Sequence, residues 1–200
     1  YAVAMALQLA VAVGFVLAIV LATFLVVVTY NNVIALQRRC RRAWANIDVA
    51  LTQRYDQLPN LVAAVRGAMA FEEQVLERVT QARAAYQPDA SIHDKAVVSE
   101  ETSSAVRSLF ATVEDYPELR SYENVMALQE EIERLETLIA RRRELFNNQV
   151  FQYNVTISTV PGALLRPLFG WKEVEMFSAD GEEQERPAVD IHGIDPNGSS

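Results

Sequence analysis

The sequence is poor in the residues that most enzymes use for chemistry. Its 200 residues contain one cysteine, Cys40, and two histidines, His93 and His192. One cysteine excludes an intrachain disulfide and leaves the redox compartment open. The histidines lie in no HExxH or comparable metal spacing, and Cys40 has no histidine near it in sequence. Glycine is scarce, at seven residues, and neither GxxxxGK nor GxGxxG occurs, which excludes the common phosphate loops. A di-iron helical site would want inward Glu-x-x-His pairs, and the sequence has none. The acids of "EEIERLE", Glu130 to Glu136 around Arg134, read as a solvated helix face rather than a carboxylate metal site. No enzymatic activity, no cofactor and no metal are expected. Nor is a nucleic-acid partner: the formal charge is −8, and eight acids against two bases fall between Lys172 and Ser200.

What the sequence does have is a long apolar run. From Leu9 to Val28 twenty residues follow one another without a charge, and only Gly14 and Thr23 are not strongly apolar. Twenty helical residues span about 30 Å, the thickness of a bilayer's hydrocarbon core. A cleaved signal peptide would need a basic start and a shorter apolar core, and "YAVAMALQ" has no base. The segment 1–29 is therefore expected to be a retained transmembrane helix. The chain begins at Tyr1 rather than Met, so further residues are expected upstream. Tyr30 suits the interface. Arg38, Arg39, Arg41 and Arg42 follow close behind, and no base precedes the run. The positive-inside rule then places the N-terminus outside and the rest in the cytoplasm. These arginines can also meet anionic headgroups, at roughly 1 kcal/mol each.

Beyond the run the apolar residues recur with a helical period. The first stripe is Val33, Leu36, Cys40, Ala43, Trp44, Ile47, Leu51, Tyr55 and Leu58. A second runs from Leu61 to Tyr86, a third from Ala96 to Tyr116, and a fourth from Glu123 to Ile157, ending at Pro161-Gly162. Each helix has one apolar stripe and must bury it against the others. The fold expected is all-α: the transmembrane helix continues into an antiparallel up-and-down four-helix bundle over 30–160. A candidate interfacial segment follows at 161–172, then an irregular acidic tail at 173–200. Cys40 falls on the first stripe and reads as a small core residue.

Pro59 interrupts the helical pattern. Proline costs roughly 3 kcal/mol inside a helix but suits a first turn. The spacing predicts a turn at Tyr55–Leu58 between the first two helices. Asp56 would cap the second helix, with Arg54, Pro59 and Asn60 tying the corner. Asp48 and Glu123 are likewise read as corner and cap residues. A kink in one long helix is the alternative.

Several stretches resemble the LemA family: "AWANIDVALTQRYDQLPNLV", "EEQVLERVTQARA", "YPELRSYENVMALQEEIE" and "NQVFQYNVTISTVPG" with "LFGW". The match covers roughly Tyr30 to Trp171. The resemblance implies a bacterial protein of the cell membrane, anchored by one N-terminal helix with a four-helix bundle behind it, and no attached enzymatic activity. A magnetosome branch of the family suggests membrane organisation. "SYENV" and "RRRELFNNQVFQYN" depart mildly from the family pattern, and both touch the fourth helix.

Two functions are compatible with these features. One is a membrane-anchored helical scaffold or interaction protein that assembles with itself or with other membrane proteins. The alternative is a regulatory or sensory adaptor that binds a peptide or small ligand within the bundle. A tail of this composition does not order itself, so if it is ordered a neighbouring copy must hold it, and a homo-oligomer is expected. The bilayer is a further expected partner. A fourth helix of about 35 residues, roughly 50 Å, would reach back to the bilayer surface and bring Leu164, Leu165, Leu168, Phe169 and Trp171 there, the alternative being that these residues cap the open end of the bundle core.

Overall fold

A computed structural model describes residues 2–68, 73–116 and 122–179. Among them the chain is all-helical, with five helices and no strand. They are α1 (Ala2–Ala68), α2 (Glu73–Ala85), α3 (Ile92–Glu114), α4 (Glu123–Ser158) and α5 (Gly162–Phe169).

α1 is one uninterrupted helix of 67 residues, or about 100 Å. Its two parts differ in packing. From Met5 to Val28 its large apolar side chains are exposed. Burial starts at Thr29 and continues on the stripe through Val33, Leu36, Cys40, Ile47, Leu51, Tyr55, Leu58, Leu61 and Val65. The apolar part, with a mean hydropathy of 3.1 over its best window, is long and apolar enough to cross a membrane.

The turn expected at Tyr55–Leu58 does not exist. Pro59 lies inside α1, on an exposed face, and the helix continues to Ala68. Proline's cost of about 3 kcal/mol is outweighed by the packing of neighbouring side chains. Leu58, Leu61 and Val65 are at most 1% exposed, and each such burial is worth about 1.5–3 kcal/mol. Asp56 caps nothing, because the amides after it belong to a continuing helix. Asn60 bonds Gln57 along the same helix, at 3.1 Å. The alternative of one long helix is thus the observed one, with α1 continuing through Pro59 to Ala68.

α2 comes back along α1. Arg66 pairs with Glu73 at 2.7 Å near the reversal, and Tyr86 stacks on Tyr55 with centroids 3.9 Å apart. Ser91 caps α3 by accepting a hydrogen bond from the Asp94 amide at 3.0 Å. α4 runs opposite to α1: Arg54 meets Glu136, Arg142 donates to the Asn46 carbonyl, and Trp44 meets Phe146. After α4 the chain turns at Gly162, where a Cβ would stand 2.0 Å from the Thr156 carbonyl oxygen, so no larger residue fits. α5 stops at Gly170, whose φ of +66° is the left-handed region that glycine tolerates.

The packed body extends past the expected limit at residue 160. Trp171 and Phe177 are buried in the common core, and residues 171–179 lie along α4 as a strap. Two asparagines two turns apart on α4 hold it. Asn154 donates to the Val174 carbonyl and accepts from the Val174 amide, at 2.9 and 3.0 Å. Asn147 does the same to Phe177, at 3.3 and 2.8 Å. Residues 180–200, and with them most of the acidic tail and its expected role in assembly, lie outside the described residues.

Candidate functional site

The most concentrated chemistry among the described residues surrounds Arg54. Its side chain is fully buried, which in a helical core demands compensation for the charge. Nη1 donates to Glu136 Oε1 at 2.7 Å and to Ser103 Oγ at 3.0 Å. Nη2 donates to Tyr55 Oη at 3.1 Å and Ser99 Oγ at 3.0 Å. Ser103 in turn donates to Glu136 Oε2 at 2.7 Å. Tyr55 Oη lies 3.2 Å from Thr102 Oγ1. Nε is the one guanidinium nitrogen without a hydrogen bond. Beside this cluster, buried Lys95 pairs with Asp48 at 2.6 Å and lies 5.4 Å from the centre of the Trp44 ring.

The cluster joins α1, α3 and α4 at one level. Both terminal nitrogens of Arg54 are engaged by fixed side chains, only Nε is left without a partner, and Arg54 lines neither of the two clefts described below. It fixes the register of three helices, since a one-turn slip would strand a buried guanidinium. The sequence reading placed Arg54 at a corner and Glu136 on a solvated face. Both are corrected here: they form one partly buried pair. The missed signal was polar spacing on an apolar stripe. Lys95, Ser99, Thr102 and Ser103 lie on the α3 face that also carries Val106 and Leu109. Asp48 is the partner of Lys95, and Glu123 is the first residue of α4.

Arg38, Arg39, Arg41 and Arg42 are all exposed on α1, about two to three turns beyond Tyr30. Cys40 is buried, and that burial pushes its thiol up, away from the reactive thiolate. Burial first, and then the nearby Cys40, raises the Tyr153 phenol as well.

At the end of the body nearest the apolar run, α5 packs on Tyr30. Phe169 and Trp171 lie 4.9 and 6.3 Å from the Tyr30 ring. Trp171 is buried and Leu165 half-buried, whereas Leu164 and Leu168 stand 72% and 73% exposed. A cleft of about 470 Å³ runs between Tyr30, Ile34 and Gln37 on one side and residues 169–174 on the other. A smaller groove of about 260 Å³ lies beside Pro59, between α1 and α2, with Arg66 and Arg83 at its edge. Among the described residues no group of histidine, cysteine and carboxylate side chains could hold a metal ion.

These features define a class: a protein that is all-helical among the described residues, with one helix there long and apolar enough to cross a bilayer and a helical body continuous with it. The chain belongs to the LemA family, whose model matches residues 43–191. It is similar to magnetosome protein MamQ of Magnetospirillum gryphiswaldense, with 34% identity over 93 residues. It is also similar to MamQ 1 and MamQ 2 of Paramagnetospirillum magneticum, each at 33% over the same length. Each match takes in 46% of this chain, and the chain spans only about a third (32%) of the length of these curated relatives. The family and the apolar helix together are consistent with a membrane protein.

Proposed function

We propose that the chain is a membrane-anchored helical scaffold that assembles with itself or with other membrane proteins. The observation that carries this reading is the continuity of α1: one helix is bare and apolar through Val28 and becomes a wall of the packed body from Thr29 onward. A rigid joint of this kind fixes the body's height above a bilayer. The cross-helix pairs support an up-and-down bundle of four helices, because α2, α3 and the antiparallel α4 each meet the same half of α1. The Arg54 cluster, whose terminal nitrogens are all engaged by side chains of the core, suits a structural role. The exposed arginines 38, 39, 41 and 42 support a cytoplasmic body with the N-terminus outside. The magnetosome relatives lend the reading a membrane-organising context, and we assign the chain no catalytic step or cofactor.

A regulatory adaptor is the second reading, favoured by the groove beside Pro59, whose apolar floor of Leu58, Val62 and Val79 and basic edge suit an acidic peptide. Cross-linking of the full chain at native membrane density, followed by mass measurement in mild detergent, separates the two. A scaffold gives a discrete homo-oligomer or a stoichiometric complex with another membrane protein. Recovery of monomer alone counts against it.

A further inference from the structure

We infer that α5 is a second membrane contact, a short helix that rests on the bilayer surface beside the foot of α1. The inference rests on reading the apolar part of α1 as a membrane span. It adds that the body does not stand clear of the bilayer on a single stalk.

Position comes first. The continuous run of bare apolar side chains on α1 ends at Val28, and packing of a stripe begins at Thr29. The ring of Tyr30, two residues farther, is the one that Phe169 touches. α5 therefore lies at the level where the span leaves hydrocarbon, the level that amphipathic helices and aromatic rings occupy. Composition comes second. Val160, Leu164 and Leu168 follow one another at four-residue intervals and are 75%, 72% and 73% exposed. A helix exposing leucines at the solvent end of a globular body is unusual, whereas one facing acyl chains is not. Charge comes third. Arg166, held to Glu173 at 3.0 Å, and exposed Lys172 border these residues, as headgroup-facing bases do.

The strap completes the geometry. After Trp171 the backbone follows α4 through Asn154 and then Asn147, which takes it away from Tyr30 and toward Trp44. Among the described residues that follow α1, α5 and its approach from Val160 are what is left at the membrane level.

Lipid-borne quenchers test this on the full chain in vesicles of phosphatidylcholine and phosphatidylglycerol. An environment-sensitive fluorophore is attached at Leu168→Cys, Leu145→Cys or Leu17→Cys, each in a Cys40→Ala background. Leu168 and Leu145 are both well exposed, so neither label disturbs the core. Leu145 lies one residue from Phe146, whose ring packs on Trp44 well above Tyr30, and serves as the distant control. We expect blue-shifted emission and several-fold stronger quenching by shallow nitroxide lipids at 168 than at 145, with deep nitroxides quenching at 17. If 168 behaves like 145 while 17 is quenched, the span stands and the α5 contact is overturned. A blue shift at 168 without lipid quenching means that protein covers the face, and this also overturns it. If 17 is not quenched, the span reading fails and α5 falls with it.

Discussion

The two parts of α1 are one helix with opposite rules. Below Thr29, leucine, valine and phenylalanine are almost all exposed, with Val26 half-buried, and little among the described residues covers them. Above it, most of the same residue types are gathered on one buried stripe, with Val49 an exposed exception, and the largest fully buried side chain is an arginine. Helix propensity does not distinguish the parts. What differs is the surrounding medium. An apolar medium accepts bare leucine and rejects charge. A protein core accepts charge when it is paired and most of its donors are met, as at Arg54, where only Nε lacks a hydrogen bond. The difference shows that a residue's exposure is meaningful only after its solvent has been named.

The largest expected effect comes from breaking that rule in the lower part. Arginine near the centre of a span costs about 2.5–3.5 kcal/mol, whereas each large apolar residue contributes only about 0.3–0.6 kcal/mol. One arginine should therefore be tolerated. Three, at Val13→Arg, Leu17→Arg and Leu21→Arg, should cost about 8–10 kcal/mol and cancel insertion. Carbonate extraction of membranes should recover the single Leu17→Arg variant in the pellet and lose the triple variant.

The upper part should show the reverse sensitivity: losing a charge is what harms it. Arg54→Ala leaves Glu136, Ser99 and Ser103 without their shared donor. Removing one member of a buried pair costs about 3–5 kcal/mol, and the lower end applies here because Glu136 keeps 27% of its exposure. Thermal unfolding of the full chain in mild detergent, followed by circular dichroism, should show a clear drop in midpoint. An unchanged midpoint would mean that the cluster does not fix the helix register.

Between these extremes lies Pro59. Proline is about 3 kcal/mol worse than alanine inside a helix. The native packing has already adapted to it, so Pro59→Ala should stabilise the upper part by roughly 1–2 kcal/mol rather than the full amount. A loss of stability in the same unfolding experiment would restore the case for a chain turn at this point.

How much of this was legible in the sequence follows from the same physics. The apolar run, the stripes and the ends of α4 could be read because periodicity and proline-glycine punctuation are local signals. Pro59 misled for a physical reason. A local penalty of a few kcal/mol signals a break, but burial of Leu58, Leu61 and Val65 in the common core overrides it, and that burial is not local. Glu136 misled in a similar way. Among the acids of "EEIERLE" it looks like its neighbours, and only the approach of α1 and α3 sets it apart. The strap could not be read at all, because Asn147 and Asn154 recognise backbone, and backbone carries no sequence pattern.

The smallest expected effect uses α4 to sharpen the comparison within a single helix. Glu131 and Glu136 are five residues apart, and each bonds an arginine at close range: Arg134 at 2.6 Å and Arg54 at 2.7 Å. The chemistry is the same, but the first pair is at the surface. The hydrogen bond from Arg134 holds the Glu131 carboxyl below the ordinary carboxylate range. A depressed carboxylate contributes stability above its unfolded pKa, and that contribution is lost as pH falls through the folded value. For Glu131 the window lies at and below about pH 4.3, the ordinary glutamate value. Water and salt screen an exposed pair, and its ordering entropy offsets most of what remains. Glu131→Gln should therefore leave the unfolding midpoint at neutral pH unchanged within error, in low and high salt alike. Glu136→Gln should lower that midpoint measurably in both, since salt does not reach Arg54. If the two variants behaved alike, burial would not be what separates them, and the Arg54 cluster would lose its claim to set the register of the helices.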